Sequence, residues 1–324
     1  MALLLLKARM ALELPAINKA LDTLLQELPA PTQPAAKHTV KAGGKRLRPL
    51  LCLLCARILG AKADEGLYRL ACTLEMLHAA TLMHDDVIDN AALRRGTPAV
   101  HTVYGNTEAI LAGDALLSYA NACVARYGNP RLCEVFARAT AETAAGEILE
   151  LHAMHNPDLE VHEYLAIIRG KTACLIRAAC EMGALYAGAD ERRVAALGAY
   201  GEALGMAFQM VDDALDVADE ATIGKPTGGD LREGKLTPPL QLYRTMLSEA
   251  EKADFNAKFA TGGFTDEEVA SICQRIRVLG LDDQVRNMAQ GYLDEGRAAI
   301  RALPESGELD VLLEILTYVR DRKK

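Results

Sequence analysis

Tryptophan is absent from this chain, and other aromatic residues are few: five phenylalanines and ten tyrosines among 324 residues. Basic residues are in the minority, with 36 Lys and Arg against 44 Asp and Glu, so the formal net charge is −8. A protein that binds nucleic acid usually presents a basic patch interleaved with aromatic side chains. The composition therefore argues against a nucleic-acid partner.

Long apolar runs are missing as well. Residues 1–10 hold six consecutive apolar residues followed by Lys7 and Arg9, which is too short for a signal peptide or a membrane span. We expect an amphipathic helix there and no transmembrane segment elsewhere.

Cysteine usage gives no sign of a disulfide framework or a zinc site. Cys52 and Cys55 form a CxxC inside an apolar run, but no second CxxC or paired histidine follows. We therefore favour buried thiols over a zinc or redox site, and a cytoplasmic protein in a reducing compartment.

A period of about 3.6 residues dominates the chain and predicts an all-α fold. Breaks are short, and no linker rich in Gly, Ser or Pro separates two domains. We expect residues 1–324 to form a single domain, one large bundle of long antiparallel helices around a central cavity. The predicted helices are Ala11–Glu27, Arg46–Leu59, Glu65–Asp89, Thr107–Tyr127, Pro130–Met154, Val161–Ala187, Glu191–Ala218, Pro238–Leu247, and several more towards the C-terminus.

Two acidic pentads are the most informative feature. Asp85-Asp86-Val87-Ile88-Asp89 ends one periodic stretch, and Asp212-Asp213-Ala214-Leu215-Asp216 ends another. Residues four apart share a helix face, so each pentad projects two carboxylates together. Facing like charges repel unless a cation lies between them. Mg²⁺ accepts one or two carboxylates from each wall and completes its octahedron with water and phosphate oxygens. The pentads therefore predict a cavity that binds a diphosphate through several Mg²⁺ ions.

Basic segments accompany both pentads and predict a second anion site. Taken singly, they also fit a solvated charged turn or a satisfied core histidine. A glycine pair at the start of a helix adds the positive end of the helix dipole, which suits a phosphate. This purely basic site comprises Lys45, Arg48, His78 and Arg95. Arg94, beside the first pentad, could neutralise it or bind phosphate, and Lys225 and Lys235 can reach a diphosphate held at Asp212.

Together, the pentads and the segments GGKRxRP, RRGxP and GKxxGxDxxxGK make the chain resemble the trans-type isoprenyl diphosphate synthases, most of all the long-chain octaprenyl and heptaprenyl types. The resemblance runs from about Gly43 to Thr237. These all-α enzymes condense an allylic diphosphate with isopentenyl diphosphate. One departure is Pro238, where the family usually has Leu, and we expect only a local change at that helix start.

The resemblance implies a role for each matching residue. Asp85 and Asp89 would bind two Mg²⁺ and Asp212 a third, with supporting roles for Asp86, Asp213 and Asp216. Arg94, Lys171, Lys225 and Lys235 would hold the allylic diphosphate, for example farnesyl diphosphate. Lys45, Arg48, His78 and Arg95 would hold isopentenyl diphosphate, and Thr172 and Gln209 would face the developing allylic cation.

The resemblance also bears on product length. Short-product members of the family carry bulky aromatics four or five residues before the first aspartate, where this chain has Thr81 and Ala80. The next positions that would line the tunnel are Leu77, Met76 and Thr73, again without an aromatic. We therefore predict an all-trans product longer than C20, used as a quinone side chain.

Three alternatives stay open. One is a short-chain farnesyl or geranylgeranyl diphosphate synthase whose tunnel is closed by distant side chains. The others are a class I terpene cyclase, which would not need a second basic site, and a non-catalytic synthase subunit, which would usually lose its pentads. The resemblance further implies a homodimer, with Thr107–Tyr127 as the candidate packing face, and a lipid product suggests peripheral membrane contact.

Overall fold

The structure, a computed structural model, describes residues 4–218 and 227–322. It confirms the predicted all-α bundle. In chain order the α-helices are α1 (Leu4–Gln26), α2 (Gln33–Lys41), α3 (Leu47–Arg57), α4 (Glu65–Ile88), α5 (Val100–Tyr104), α6 (Asn106–Ala125), α7 (Pro130–Ala153), α8 (Val161–Ile168), α9 (Cys174–Tyr186), α10 (Glu191–Asp216), α11 (Gly229–Arg232), α12 (Pro238–Thr245), α13 (Glu249–Thr261), α14 (Asp266–Val278), α15 (Leu281–Ala299) and α16 (Gly307–Arg320).

Three short elements join these helices. Ala30–Thr32 forms a 3₁₀ turn, and Arg169–Ala173 forms a π-helical turn between α8 and α9. Strands β1 (Leu93–Arg94) and β2 (Thr97–Pro98) pair antiparallel, with Arg94 opposite Thr97. Arg95 and Gly96 at the hairpin tip both have positive φ, 54° and 78°, as a tight hairpin turn requires.

Side-chain caps explain where many helices begin. Asp64 and Asp190 accept hydrogen bonds from the backbone amides of Leu67 and Arg193, which satisfies donors that a helix N-terminus leaves unpaired. α12 begins at Pro238 with a second proline behind it, positions at which proline costs little because the first helical amides have no partner within the helix. The change at Pro238 is thus the local one predicted.

The predicted helix boundaries hold within a few residues, with three corrections. The N-terminal helix starts at Leu4 instead of Ala11, so the amphipathic segment and the first predicted helix are one element. The short helices α2, α5 and α11 were not predicted. The stretch predicted as one helix, Val161–Ala187, is interrupted by the π-helical turn, because a single extra residue in one turn leaves the apolar periodicity nearly unchanged.

One continuous apolar core runs through the bundle. α10 packs against α9 and α15, α3 packs against α9, and α4 packs against α6. Glycines allow close approach: a Cβ at Gly183 would lie 2.3 Å from the Cys52 carbonyl oxygen, and one at Gly205 would lie 2.5 Å from Ala173 Cα. A second, smaller cluster contains Leu231, Leu236 and residues of α12 to α14.

Helix α10 qualifies the prediction that no segment could span a membrane. Among the described residues it alone is long and apolar enough by length and composition, but 67% of its most apolar window is buried inside the protein. That burial is typical of a core helix. The cysteines follow their prediction: Cys52, Cys55 and Cys180 are free thiols buried in the core.

Candidate active site

The first pentad lies at the C-terminal end of α4, where its three carboxylates have different surroundings. Asp86 is 1% exposed and accepts a 2.6 Å hydrogen bond from Nε of Arg94 on the β-hairpin. Asp89 follows the last helical residue and is exposed, and Asp85 is half-buried. Successive helical residues point about 100° apart, so a carboxylate that holds Arg94 stands beside two that do not.

Electrostatics single out Asp85. Burial, together with the nearby carboxylates of Glu147 and Asp89, raises the pKa of Asp85 to about 7, although Lys171 and Arg94 act in the opposite direction. A carboxyl group with a pKa near 7 and, among the described residues, no direct cationic partner would be stabilised in its charged form by a bound metal ion.

The second pentad, at the end of α10, divides in the same way. Asp213 is buried and accepts hydrogen bonds from the hydroxyl of Tyr164 and from Nε2 of Gln209 at 2.9 Å. Asp216 accepts hydrogen bonds from the amides of Gly229 and Asp230 at 3.2 and 3.0 Å, which fixes the start of α11. Asp212 lies 2.9 Å from Nη1 of Arg322, near the C-terminus.

The carboxylates fit the metal ions that the pentads predict. Within the described residues, no three Asp, Glu, His or Cys side chains already stand together as a metal site. Among the described residues, Asp85 and Asp89 form no side-chain hydrogen bond or ion pair, and Asp212 forms an ion pair with Arg322. They are hard oxygen ligands carried by two helices, which suits Mg²⁺ shared with substrate phosphates.

The π-helical turn places Lys171 and Thr172 between the two pentads. Gly146 of α7 and Gly170 allow the close approach, since a Cβ at Gly146 would lie 2.4 Å from the backbone nitrogen of Lys171. Nζ of Lys171 pairs with Glu147 at 2.9 Å and also with Glu150. Nζ of Lys235 pairs with Glu150 at 2.8 Å. Two of the predicted diphosphate-binding lysines, Lys171 and Lys235, therefore share Glu150.

A second, purely basic group surrounds His78. Arg48 lies in the first turn of α3. Its Nε is shielded from solvent and has no hydrogen-bond partner among the described residues. Burial lowers the pKa of the Arg48 guanidinium, the nearby Glu75 carboxylate acts in the opposite direction, and Arg95 lowers the pKa further. Burial and the nearby Arg48 and Arg95 also lower the pKa of His78 well below its usual value, so His78 is neutral. A guanidinium with a shielded N–H left without a partner can donate that hydrogen bond to an anion.

The other cations of this segment are already engaged. Arg46, with φ 49°, forms a buried 2.8 Å ion pair with Glu75 and is structural. Arg95 donates to the Gly43 carbonyl and lies against Gly44, where a Cβ would be 3.0 Å from its Nη1. Lys45 is exposed and donates to the hydroxyl of Tyr318 on α16 at 2.6 Å.

The predicted tunnel residues lie along α4, away from the charged groups. Ala80, Leu77, Met76 and Thr73 are at most 1% exposed, and Thr81 is half-buried. The hydroxyls of Thr73 and Thr81 donate to carbonyls three residues earlier on their own helix, at 2.7 and 2.9 Å. Their methyl groups therefore point away from those carbonyls.

A cavity lies elsewhere, between the end of α7, α8, the π-helical turn and α10. None of the five predicted tunnel residues lines it. Its polar rim includes Lys171, Thr172, Gln209, Asp213 and Lys235. Met154, Leu159, Ile167, Ile168 and Leu236 give it apolar walls.

Sequence reasoning missed several residues of this site. Glu147 and Glu150, three apart in an alanine-rich helix, carried a usable signal, because carboxylates at that spacing share one face. Tyr164, two turns before Lys171, and Arg322, near the C-terminus, carried none. Asp230 is the aspartate of the segment GKxxGxDxxxGK, for which no role was predicted. Its Oδ2 has no hydrogen-bond partner among the described residues. Lys225 lies outside the described residues.

An all-α bundle that brings two aspartate pentads and a cluster of arginines together has the architecture of an enzyme acting on two phosphorylated substrates. Residues 30–276 match the family model described as polyprenyl synthetase. The chain belongs to this family, as the motifs predicted.

Individual relatives agree. The chain is 37% identical to heptaprenyl diphosphate synthase component 2 of Geobacillus stearothermophilus, over 96% of both chains. It is 34% identical to geranylgeranyl diphosphate synthase of Methanosarcina mazei, over 95% of both. The crystal structure of a decaprenyl diphosphate synthase from Rhodobacter capsulatus superposes with a TM-score of 0.91 at 37% identity, covering 98% of this chain and 99% of that one.

Proposed function

We propose that this protein is a prenyltransferase that condenses isopentenyl diphosphate with an allylic diphosphate, such as farnesyl diphosphate, and repeats the step to give a long all-trans polyprenyl diphosphate. The observation that carries the proposal is the pairing of two unlike anion sites. One has half-buried carboxylates with lysines beside them, and the other has Arg48, whose Nε has no hydrogen-bond partner among the described residues, near neutral His78. Two diphosphates of different chemistry match two such sites.

The allylic diphosphate would lie between Arg94, Lys171 and Lys235. Without substrate, Arg94 pairs with Asp86, Lys171 pairs with Glu147 and Glu150, and Lys235 pairs with Glu150. The diphosphate would replace these carboxylates or bind beside them. The positive charge of the three cations stabilises the negative charge that grows on the leaving group as the allylic C–O bond breaks.

Divalent metal ions held by Asp85, Asp89 and Asp212 would add Lewis-acid stabilisation of the same leaving group. We propose Mg²⁺, three ions per site, because the available donors are carboxylate oxygens. Asp86, Asp213 and Asp216 would support this set from the hydrogen bonds described above.

Isopentenyl diphosphate would bind Arg48, Arg95, His78 and Lys45. Its double bond attacks the allylic cation, whose charge is offset by the Thr172 hydroxyl and the Gln209 amide oxygen. The proton then lost from the new chain goes to the released diphosphate. Each cycle adds five carbons, and the product can serve as the next allylic substrate.

Arg48 gives a direct test of the second site. Replacing Arg48 with glutamine should raise KM for isopentenyl diphosphate about 10- to 100-fold, because charge-assisted hydrogen bonds to the diphosphate are lost. KM for the allylic diphosphate should change little. The melting temperature should hold or rise, because burial disfavours the Arg48 charge and its Nε has no hydrogen-bond partner among the described residues. Initial rates at varied isopentenyl diphosphate and a thermal scan measure both.

Arg46→Gln is the matched contrast two residues away. It breaks a buried ion pair with Glu75 and should destabilise the fold by about 3–5 kcal/mol, with KM unchanged in the protein that remains folded. If Arg48→Gln only destabilises and leaves KM unaltered, Arg48 does not bind substrate.

The small side chains of Ala80 and Thr81 support a product longer than C20, which would serve as a quinone side chain. The experiment is to incubate the purified protein with farnesyl diphosphate, isopentenyl diphosphate and Mg²⁺ and to read product length by mass. Products of C30 or more support the long-chain assignment. A stop at C20 or below makes it a short-chain synthase, in line with the geranylgeranyl relative. A cyclised hydrocarbon would identify a terpene cyclase.

We propose that two identical chains pair through α6 and the adjoining part of α7. Ile110 and Leu111 on α6 and Ile148 and Leu149 on α7 are large apolar side chains at 41%, 58%, 53% and 45% exposure. A solution mass of one chain would contradict this. Because the Geobacillus relative is named component 2, an inactive chain that gains activity with a second protein is the alternative outcome.

We further propose a cytoplasmic protein that touches membranes only peripherally, when its lipid product leaves. The support is the chemistry of the product and the eight free cysteines. Co-sedimentation with lipid vesicles in the presence of product, compared with its absence, tests the membrane contact.

A further inference from the structure

A chain of hydrogen bonds crosses the site from α8 to the π-helical turn. The Tyr164 hydroxyl donates to Asp213 Oδ2, and Gln209 Nε2 donates to Asp213 Oδ1 at 2.9 Å. The Thr172 hydroxyl lies 2.9 Å from Gln209 Oε1. The chain runs through four residues on three elements, and all four line the same cavity.

The direction of each hydrogen bond follows from what each group can do. The two Asp213 oxygens accept one hydrogen bond each, from the Tyr164 hydroxyl and from Gln209 Nε2, so Gln209 turns its NH₂ group towards Asp213. The Gln209 carbonyl oxygen then faces Thr172, and because this oxygen only accepts, the Thr172 hydroxyl must donate its proton to it. The lone pairs of the Thr172 oxygen are thereby left to point elsewhere.

Tyr164 closes the far end of this chain. It is 4% exposed and Asp213 is 5% exposed, so water does not readily replace the phenol. With one oxygen held by Tyr164, Asp213 keeps the other for Gln209, four residues back on the same helix face. Without Tyr164, the carboxylate would be free to rotate and Gln209 would lose its fixed amide orientation.

We infer that Tyr164 is a positioning residue for the condensation: through Asp213 and Gln209 it fixes the Thr172 hydroxyl with its oxygen lone pairs towards the allylic carbon at which positive charge develops. An oriented dipole that needs no reorganisation during the reaction stabilises charge better than a freely rotating hydroxyl. On this view the main task of Asp213 is to hold Gln209 and Thr172, while Asp212 serves the metal. The inference rests on the proposed function, in which Thr172 faces the cation.

The test is a double-mutant cycle on Tyr164→Phe and Thr172→Val, read as the single-turnover rate of the first condensation of farnesyl diphosphate with isopentenyl diphosphate. Tyr164→Phe should slow this step about tenfold and change KM for either diphosphate by less than about twofold. In the Thr172→Val background, Tyr164→Phe should have little further effect, because the hydroxyl that it orients is gone. In the Thr172→Ser background its effect should return.

Tyr200→Phe is the control for losing a buried phenol. The Tyr200 hydroxyl donates to the Leu312 carbonyl at 2.8 Å from the same helix that carries Asp213, so this variant should lower the melting temperature without slowing the first condensation. Equal slowing by Tyr164→Phe in the wild-type and Thr172→Val backgrounds would overturn the relay. If Thr172→Val itself leaves the rate unchanged, the role of Thr172 in the proposed function fails instead.

Discussion

Asp85→Ala should lower the turnover number about a thousandfold and leave the fold intact. The metal ions that Asp85 is proposed to hold supply several kcal/mol of leaving-group stabilisation, and this carboxylate has no structural partner to replace. Added Mg²⁺ should not restore the rate. Initial rates with farnesyl and isopentenyl diphosphates, measured over a range of Mg²⁺ concentrations and alongside circular dichroism, test the prediction.

The same variant should be at least as stable as the parent at neutral pH. Burial and Glu147 raise the pKa of Asp85 to about 7 from the 3.8 that is usual for aspartate, so the folded protein binds this proton more tightly than the unfolded chain. Such a group costs stability as pH rises above about 4, and the full cost is reached above about pH 7. The melting-temperature gain of Asp85→Ala in metal-free buffer should therefore grow from pH 4 to pH 7.

Two comparisons sharpen the result. Asp212→Ala, on the other helix, should cause a similar loss of turnover, but without the same gain in stability, because it removes the partner of Arg322. Asp294→Ala, an exposed aspartate on α15, should change neither quantity. Retained activity in Asp85→Ala or Asp212→Ala would show that the metal ions bind elsewhere.

The pentads show how far sequence reasoning reaches. Spacing predicted that Asp85 and Asp89 share a face, and the all-α fold followed from helical periodicity. Spacing could not show that Asp86 holds Arg94 or that Asp213 accepts from Tyr164, because those partners come from distant elements. Sequence spacing predicts which residues share a helix face. The role of each residue depends on which side chains of neighbouring elements contact it.

The basic segment makes the same point for cations. Arg46 and Arg48 are two residues apart, and the family resemblance selected Arg48; spacing alone does not distinguish the structural arginine from the one proposed to bind substrate. The difference arises from Glu75, a carboxylate inside an otherwise apolar stretch of α4 that takes Arg46 as its partner. The π-helical turn was equally hidden, since it shifts Lys171 and Thr172 without disturbing the apolar pattern on either side.

Substitutions on α4 should change product length as strongly as substitutions in the pentads change the turnover number. Ala80→Phe should shorten the main product to C20 or less while the first condensation continues. Ala80 is buried, 1% exposed, and five residues from Asp85, so the added ring would fill the space next to the start of the growing chain. Leu77→Phe acts three residues earlier, about 4.5 Å deeper, and should give a product about one isoprene unit longer than that of Ala80→Phe.

Ala79→Phe is the matched control for crowding. Ala79 is also buried, 5% exposed, but points about 100° away on the helix. A phenylalanine there should cost a similar 1–3 kcal/mol of overpacking without changing product length. Mass spectrometry of the products, with the rate of the first condensation as a check on folding, separates the cases. If all three variants make the parent product, the chain does not grow past α4, and the apolar cavity beside α8 becomes the route to examine.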